Sequence, residues 1–146
     1  MKRILLLLFA LCACNALLLS AQNRLPDGEP PQTTVPAADD AVRFIRYFYT
    51  TCVFGNAGCE PLLKKHCTER LLRKLHAGYG YDGDGYAVWF FRTGAQDGPS
   101  DVSEVREVVA LGGGCFRVNF VDMGTEGHRI VKIVDENGAM KFDAVK

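Results

Sequence analysis

Apolar residues recur along this chain first at helical and then at strand spacing. Ala41, Ile45, Phe48 and Cys52 lie four, three and four residues apart, with Val42 and Tyr49 widening the stripe. That period predicts an amphipathic helix of about 14 residues. Asp39 and Asp40 stand at its amino end, where carboxylates cap free N–H groups and oppose the helix dipole. The loop Phe54-Gly55-Asn56-Ala57-Gly58 closes it. A second helix is predicted from Pro61 to His76, with proline in its first turn. Leu63, Cys67, Leu71 and Leu75 share one face, and Lys64, Lys65, Glu69, Arg73 and Lys74 take the wet side. Gly78 suits the carboxyl-terminal cap.

The period then changes to two. Val102 to Val108 partly alternates, and Phe116, Val118 and Phe120 alternate with Arg117 and Asn119. Arg129 to Val134 forms a further run, and Asn137-Gly138 marks a tight turn into Met140, Phe142 and Ala144. Gly112-Gly113-Gly114 reads as a turn between strands. Val88-Trp89-Phe90-Phe91 reads as an aromatic strand, with Val88 and Phe90 on one face and Trp89 and Phe91 on the other. Helices followed by an antiparallel sheet give the α+β class. The expected architecture is two or three amino-terminal helices packed on one face of a curved antiparallel sheet of about four strands.

The amino terminus changes the boundaries of that domain. Lys2 and Arg3 precede an apolar run from Ile4 to Leu19, followed by Ser20-Ala21. This is the layout of a secretory signal, so residues 1–21 are set apart from the fold. The run is interrupted by Asn15 and is short for a membrane-spanning helix of about 20 residues. Cleavage after Ala21 is favoured. The alternative is lipidation at Cys14, since Leu11-Cys12-Ala13-Cys14 resembles a lipobox; membrane attachment is expected only by that route. Residues 22–38 are proline-rich and poor in large apolar side chains, and read as a flexible tether. A single domain over residues 39–146 remains, located in the periplasm or at the cell surface.

Charge removes one class of partner. The chain carries 17 basic and 17 acidic residues, with no basic stripe of the kind that nucleic acid requires. Cysteine usage fits export: Cys52, Cys59, Cys67 and Cys115 lie outside the signal, and an even number suggests two disulfides. Cys52 and Cys59 flank a short loop and are expected to pair, which leaves Cys67 for Cys115. Two free thiols at Cys67 and Cys115 are the alternative.

The stretch HAGYGYDGDGYAVWFFRTGAQDG, residues 76–98, holds the candidate chemistry. Asp82 and Asp84 match the first two ligand positions of a calcium loop, but the fifth position is Tyr86 and the twelfth is Thr93, where an oxygen ligand and a glutamate are needed. A turn built from Asp and Gly is the better reading. Cysteine and histidine spacings contain neither C-x-x-C nor H-x-x-x-H, so no metal site is expected and no cofactor is implied. His66 beside Cys67 is no dyad, because neighbours on a helix point about 100° apart. Asp97 or Asp82 is the carboxylate available as a general base, Asp82 and Asp84 could share a proton if buried, and Tyr86 and Trp89 could stack on a sugar or close a pocket. Burial in the core is the competing use of such aromatics.

The run LLKKHCTERLLRKL, followed by YGYDGDGY and GAQDG, resembles a bacterial, Bacteroidetes-type family of exported domains of unknown function. The resemblance spans roughly residues 39–146. It implies a cystatin-like fold, similar to nuclear transport factor 2, and points to Tyr81, Asp82, Asp84, Gln96 and Asp97. Gly85 stands where the family's stretch carries a proline. No established activity comes with the resemblance, and fold alone does not fix function. The functional expectation is a non-catalytic binding or interaction module for a small molecule or a protein. Its candidate site residues are Tyr81, Asp82, Asp84, Tyr86, Trp89, Gln96 and Asp97. A small enzyme with a pocket carboxylate as base, and an immunity-type inhibitor of a secreted toxin, are the alternatives.

Overall fold

A computed structural model of the chain describes residues 33–55, 58–94 and 97–146. The expected signal segment and nearly all of the tether lie outside the described residues. Helix α1 (Ala38–Phe48) continues without interruption into one π-type turn (Tyr49–Val53). The predicted stripe is the buried one: Ala41, Ile45, Phe48, Tyr49 and Cys52 all lie in the core, joined by Phe44 and Val53.

The second predicted helix is two helices, α2 (Glu60–His66) and α3 (Glu69–Ala77). Cys67 between them is extended, with φ −110° and ψ 149°. It forms a parallel bridge with Phe142, and the Thr68 N–H donates to the Phe142 carbonyl at 2.9 Å. Thr68 then caps α3, its hydroxyl accepting from the Leu71 N–H at 3.3 Å and donating to Asp143 Oδ1 at 3.1 Å. Threonine at this position gives the chain a local alternative to continuing the helix. Leu63, Cys67, Leu71 and Leu75 remain buried on both sides of the break. The apolar period therefore survives a break in the backbone.

The sheet is an antiparallel meander of β2 (Glu104–Gly112), β3 (Cys115–Asp122), β4 (Thr125–Glu136) and β5 (Ala139–Val145). A two-residue strand β1 (Thr33–Thr34) pairs with β4 at Asp135 and Glu136, beyond the end of β3. The sheet is curved and does not close. Two of its hairpins turn through Met123-Gly124 and Asn137-Gly138, with φ of 50° and 79° in the first and 57° and 79° in the second. Paired left-handed residues are what a two-residue turn needs to match the twist of its strands. The Asn-Gly pair announces this in sequence, and Met123 does not. Helices and one face of the sheet enclose the core, in which Phe48, Phe91, Phe120, Phe142, Ile45 and Ile133 are inaccessible or nearly so. This is the expected α+β arrangement.

Two expectations are corrected. Val88–Phe91 is a single 3₁₀ turn and not a strand. Alternation fails accordingly: Ala87 and Phe91 are buried, Val88 and Phe90 are half-buried, and Trp89 is exposed. The second is the cysteine pairing. Cys52–Cys59 is a disulfide with Cα atoms 4.8 Å apart, but Cys67 and Cys115 are free. Cys67 extends the sheet past β5, while Cys115 starts β3 with β4 and β5 between them. Three strand spacings put them about 14 Å apart, twice the reach of a disulfide at about 7 Å. Burial pushes the Cys67 thiol up to about 12, against a small opposing effect of Lys141, so it is protonated and unreactive.

Two outcomes follow from this fold. A chain beginning at Gln22 should titrate two free thiols under denaturing, non-reducing conditions. A count of zero would restore a Cys67–Cys115 bridge, and four would remove the one at Cys52. Thr68→Ala removes the α3 cap and a donor to Asp143, and should cost about 1–2 kcal/mol in urea unfolding. An unchanged midpoint would mean the cap is not what breaks the helix.

Candidate functional site

The end of α3 and the 3₁₀ turn bring one group of side chains together. The Tyr79 N–H donates to the His76 carbonyl at 3.0 Å, which carries the chain off α3 in a tight turn. The chain then loops out through residues 80–86 and returns. There the Ala87 N–H donates to the Leu75 carbonyl at 3.0 Å, anchoring the start of the 3₁₀ turn on α3. Gly85 makes the return possible: a Cβ there would lie 2.3 Å from the Tyr79 ring.

Three rings meet at this corner. Tyr79 stacks on Trp89, with centroids 5.8 Å apart and planes 26° apart. Tyr81 lies edge-on to both, 5.4 Å from Tyr79 and 6.0 Å from Trp89. Offset-stacked and edge-to-face geometries in this range are the favoured aromatic arrangements. Trp89 nevertheless remains 38% exposed and Tyr81 70% exposed. With Val88, Arg92 and Met123 the rings line a cleft of about 800 Å³, within the usual range of ligand pockets.

The wall of the cleft is fixed from beneath by two arginines. Arg92 directs Nη2 to Asp122 Oδ1 at 2.6 Å, and its Nε lies 3.1 and 3.2 Å from the two carboxylate oxygens. The Thr93 N–H and hydroxyl donate to Asp122 Oδ2 at 3.1 and 3.0 Å. Asp122, at the end of β3, is completely buried. Burial alone would raise its pKa. The hydrogen bonds from Arg92 and Thr93, with the guanidinium charge, outweigh burial and hold the carboxyl below its ordinary value. From β4, Arg129 donates through Nε to the Phe90 carbonyl at 2.9 Å and through Nη2 to the Arg92 carbonyl. The 3₁₀ turn is therefore clamped to the sheet on both sides of Phe91.

Only part of the sequence-derived site assembles here. Tyr81 and Trp89 line the cleft. Tyr86 faces another way, its ring edge-on to His76 at 6.0 Å. Asp84 is fully exposed, 3.6 Å from His76 Nε2. Asp82 and Asp97 are exposed as well, and none of these three carboxylates lines the cleft. A shared carboxylate cavity is therefore not formed. Gln96 lies outside the described residues. Among the described residues no group of three or more His, Cys, Asp or Glu side chains is placed to hold a metal ion.

Sequence reasoning missed Tyr79, Arg92, Asp122 and Arg129. Tyr79 carried a signal, as a third aromatic within the Tyr79–Tyr86 stretch. The other three are single charges whose partners lie about 30 to 40 residues away, and no local pattern reveals such pairing. Compared with protein-family models, with curated proteins and with solved structures, the chain matches none.

The clamp makes a quantitative prediction. Arg92→Ala leaves a fully buried carboxylate without its cation and should cost about 3 kcal/mol at pH 7. In the wild type, the stabilisation from the lowered Asp122 is complete above about pH 4 and is lost as pH falls further. In the variant, burial is no longer outweighed, and a protonated Asp122 has no need of a cation. The gap between the two proteins should therefore narrow as pH falls from 7 to 3.5. Urea unfolding at pH 7 and pH 3.5 measures it; equal stability at pH 7 would show that the pair is dispensable.

Proposed function

We propose that this chain is an exported, non-catalytic binding module whose site is the aromatic cleft. One observation carries the reading. Trp89 and Tyr81 leave much of their ring surface in water, although the same domain buries five phenylalanines almost completely. A cluster of partly wet rings lining a concave cleft supports a partner site there, in a way that a single exposed ring such as Tyr47 does not. The rings are mutually packed, and the backbone beneath them is tied to β3 and β4 through Arg92 and Arg129. A site held in place before the ligand arrives avoids the cost of ordering side chains on binding.

A small molecule suits the concave cleft of about 800 Å³; the other exposed apolar residues, Val35, Tyr47, Val102, Leu111 and Ile130, do not line it. Asp82, Asp84 and Asp97 are exposed and lie outside the cleft, which supports binding over the enzyme alternative. Export rests on the apolar leader, and the Cys52–Cys59 disulfide suits an oxidising compartment. Among the described residues no helix is long and apolar enough to cross a membrane. The likeness to the exported domain family remains part of the proposal, carried by the residues quoted above.

A thermal-shift screen of a small-molecule library on wild type and Trp89→Ala tests this reading. A ligand at 100 times its Kd should stabilise the wild type by about 2.7 kcal/mol and the variant markedly less. Hits that shift both proteins equally would place the site away from Trp89.

A further inference from the structure

The geometry of the three rings narrows the ligand. Tyr79 covers one face of the Trp89 indole. Tyr81 is almost as close to Tyr79 as to Trp89, at 5.4 and 6.0 Å. A ring seated over the far face of the indole would be much farther from Tyr79 than from Trp89. Tyr81 therefore stands beside the stacked pair, and neither tyrosine covers the far indole face. What remains is a one-sided platform, not a slot. A slot grips both faces of a flat aromatic ligand; a one-sided platform leaves the ligand's second face in water. The matching chemistry is a ring with one apolar face and a periphery of hydroxyl groups.

Charge narrows it further. Arg92 is the one charged residue lining the cleft among the described residues, and its guanidinium is engaged by Asp122. An anion gains little from a cation already paired, because the pair presents almost no net charge. A quaternary ammonium ion needs several aromatic faces turned toward it. Here Tyr79 and Trp89 spend a face on each other, and the cleft wall carries a guanidinium. Resting on the cleft reading above, we infer that the ligand is an uncharged saccharide, laid with the apolar face of a pyranose ring against the far face of Trp89. Tyr81, exposed alongside, supplies a second ring edge and a hydroxyl for the next sugar unit. The cleft's open side lets a chain of such units extend beyond it.

Trp89 is the only tryptophan of the chain, so its emission reports on this site directly. The test titrates the purified full-length chain with cellohexaose, chitohexaose and maltohexaose, with choline chloride and adenosine as controls. At least one hexasaccharide should change the emission saturably, and neither control should. Tyr81→Ala, which removes an exposed ring and leaves the core intact, should weaken that binding about tenfold by isothermal titration. Trp89→Ala should weaken it further, and Trp89→Phe should restore part of it. No response to any hexasaccharide overturns the inference. Saturable binding of choline or adenosine that Trp89→Ala removes, without a saccharide response, overturns the saccharide class and leaves the cleft as the site. Saccharide binding indifferent to both alanine variants overturns the cleft itself.

Discussion

The buried carboxylate of Asp122 organises the half of the molecule that carries the cleft. It ends β3 with no access to water and accepts hydrogen bonds from Arg92 and from two groups of Thr93. A charge in that position is tolerable only when paired and hydrogen-bonded. Its demand therefore fixes where residues 92 and 93 run. Arg129 adds a second tie from β4 to the carbonyls of Phe90 and Arg92. Between the two ties Phe91 is driven into the core against Phe48, Tyr49 and Phe142. Once Phe91 points inward from a 3₁₀ turn, Trp89 two residues earlier cannot. The exposed indole is thus a consequence of the polar clamp beneath it.

The edges of the sheet show a comparable division of labour. Beyond β5, the extended Cys67 and the Thr68 N–H close the strand edge at Phe142. Asp143 secures that junction, accepting from Thr68 and from Arg70 of α3. At the other edge β2 has no further strand among the described residues. Arg46 of α1 reaches across to the carbonyls of Val105 and Arg106 at 3.1 and 3.3 Å. Register shifts at Val105–Glu107 and Ala110–Gly112, with Glu104, Arg106 and Glu107 on the strand, make it a poor template for another chain. The helices do more than bury an apolar stripe: they supply the groups that satisfy both flanks of the sheet.

Periodicity made most of this architecture legible. The stripe from Ala41 to Cys52 and the alternation of Phe116, Val118 and Phe120 report which side chains are buried, and those side chains are buried. They do not report backbone continuity, and so Leu63, Cys67, Leu71 and Leu75 read as one helix across a break. Thr68, a capping residue followed by Glu69, was the local sign of it. The candidate site was legible only where it is local. Trp89 was picked from aromatic density within one stretch, and Tyr81 only through the resemblance. Asp122, Arg92 and Arg129 depend on partners from different strands and left no trace at short range. The acidic residues of the tyrosine-aspartate stretch drew attention because carboxylates carry chemistry. The glycines around them instead let the segment swing clear of the core, and Asp82 and Asp84 swing out with it.

That outward swing bears on how the cleft keeps its shape. An open turn of glycines and aspartates contributes little burial and would be expected to move freely. Here its two ends are fixed independently of its middle. Tyr79 is held by the end of α3, and Ala87 is bonded back to Leu75 of the same helix. Gly85 rests against the Tyr79 ring, so the returning chain braces the ring that supports Trp89. The platform consequently depends on α3 and on the Asp122 clamp, both rooted in the core, and only Tyr81 rides on the exposed part. Binding through Trp89 would find a surface already formed, whereas any contact through Tyr81 has to be ordered by the ligand. This difference in preorganisation, more than ring size, sets which of the two aromatics contributes most to affinity.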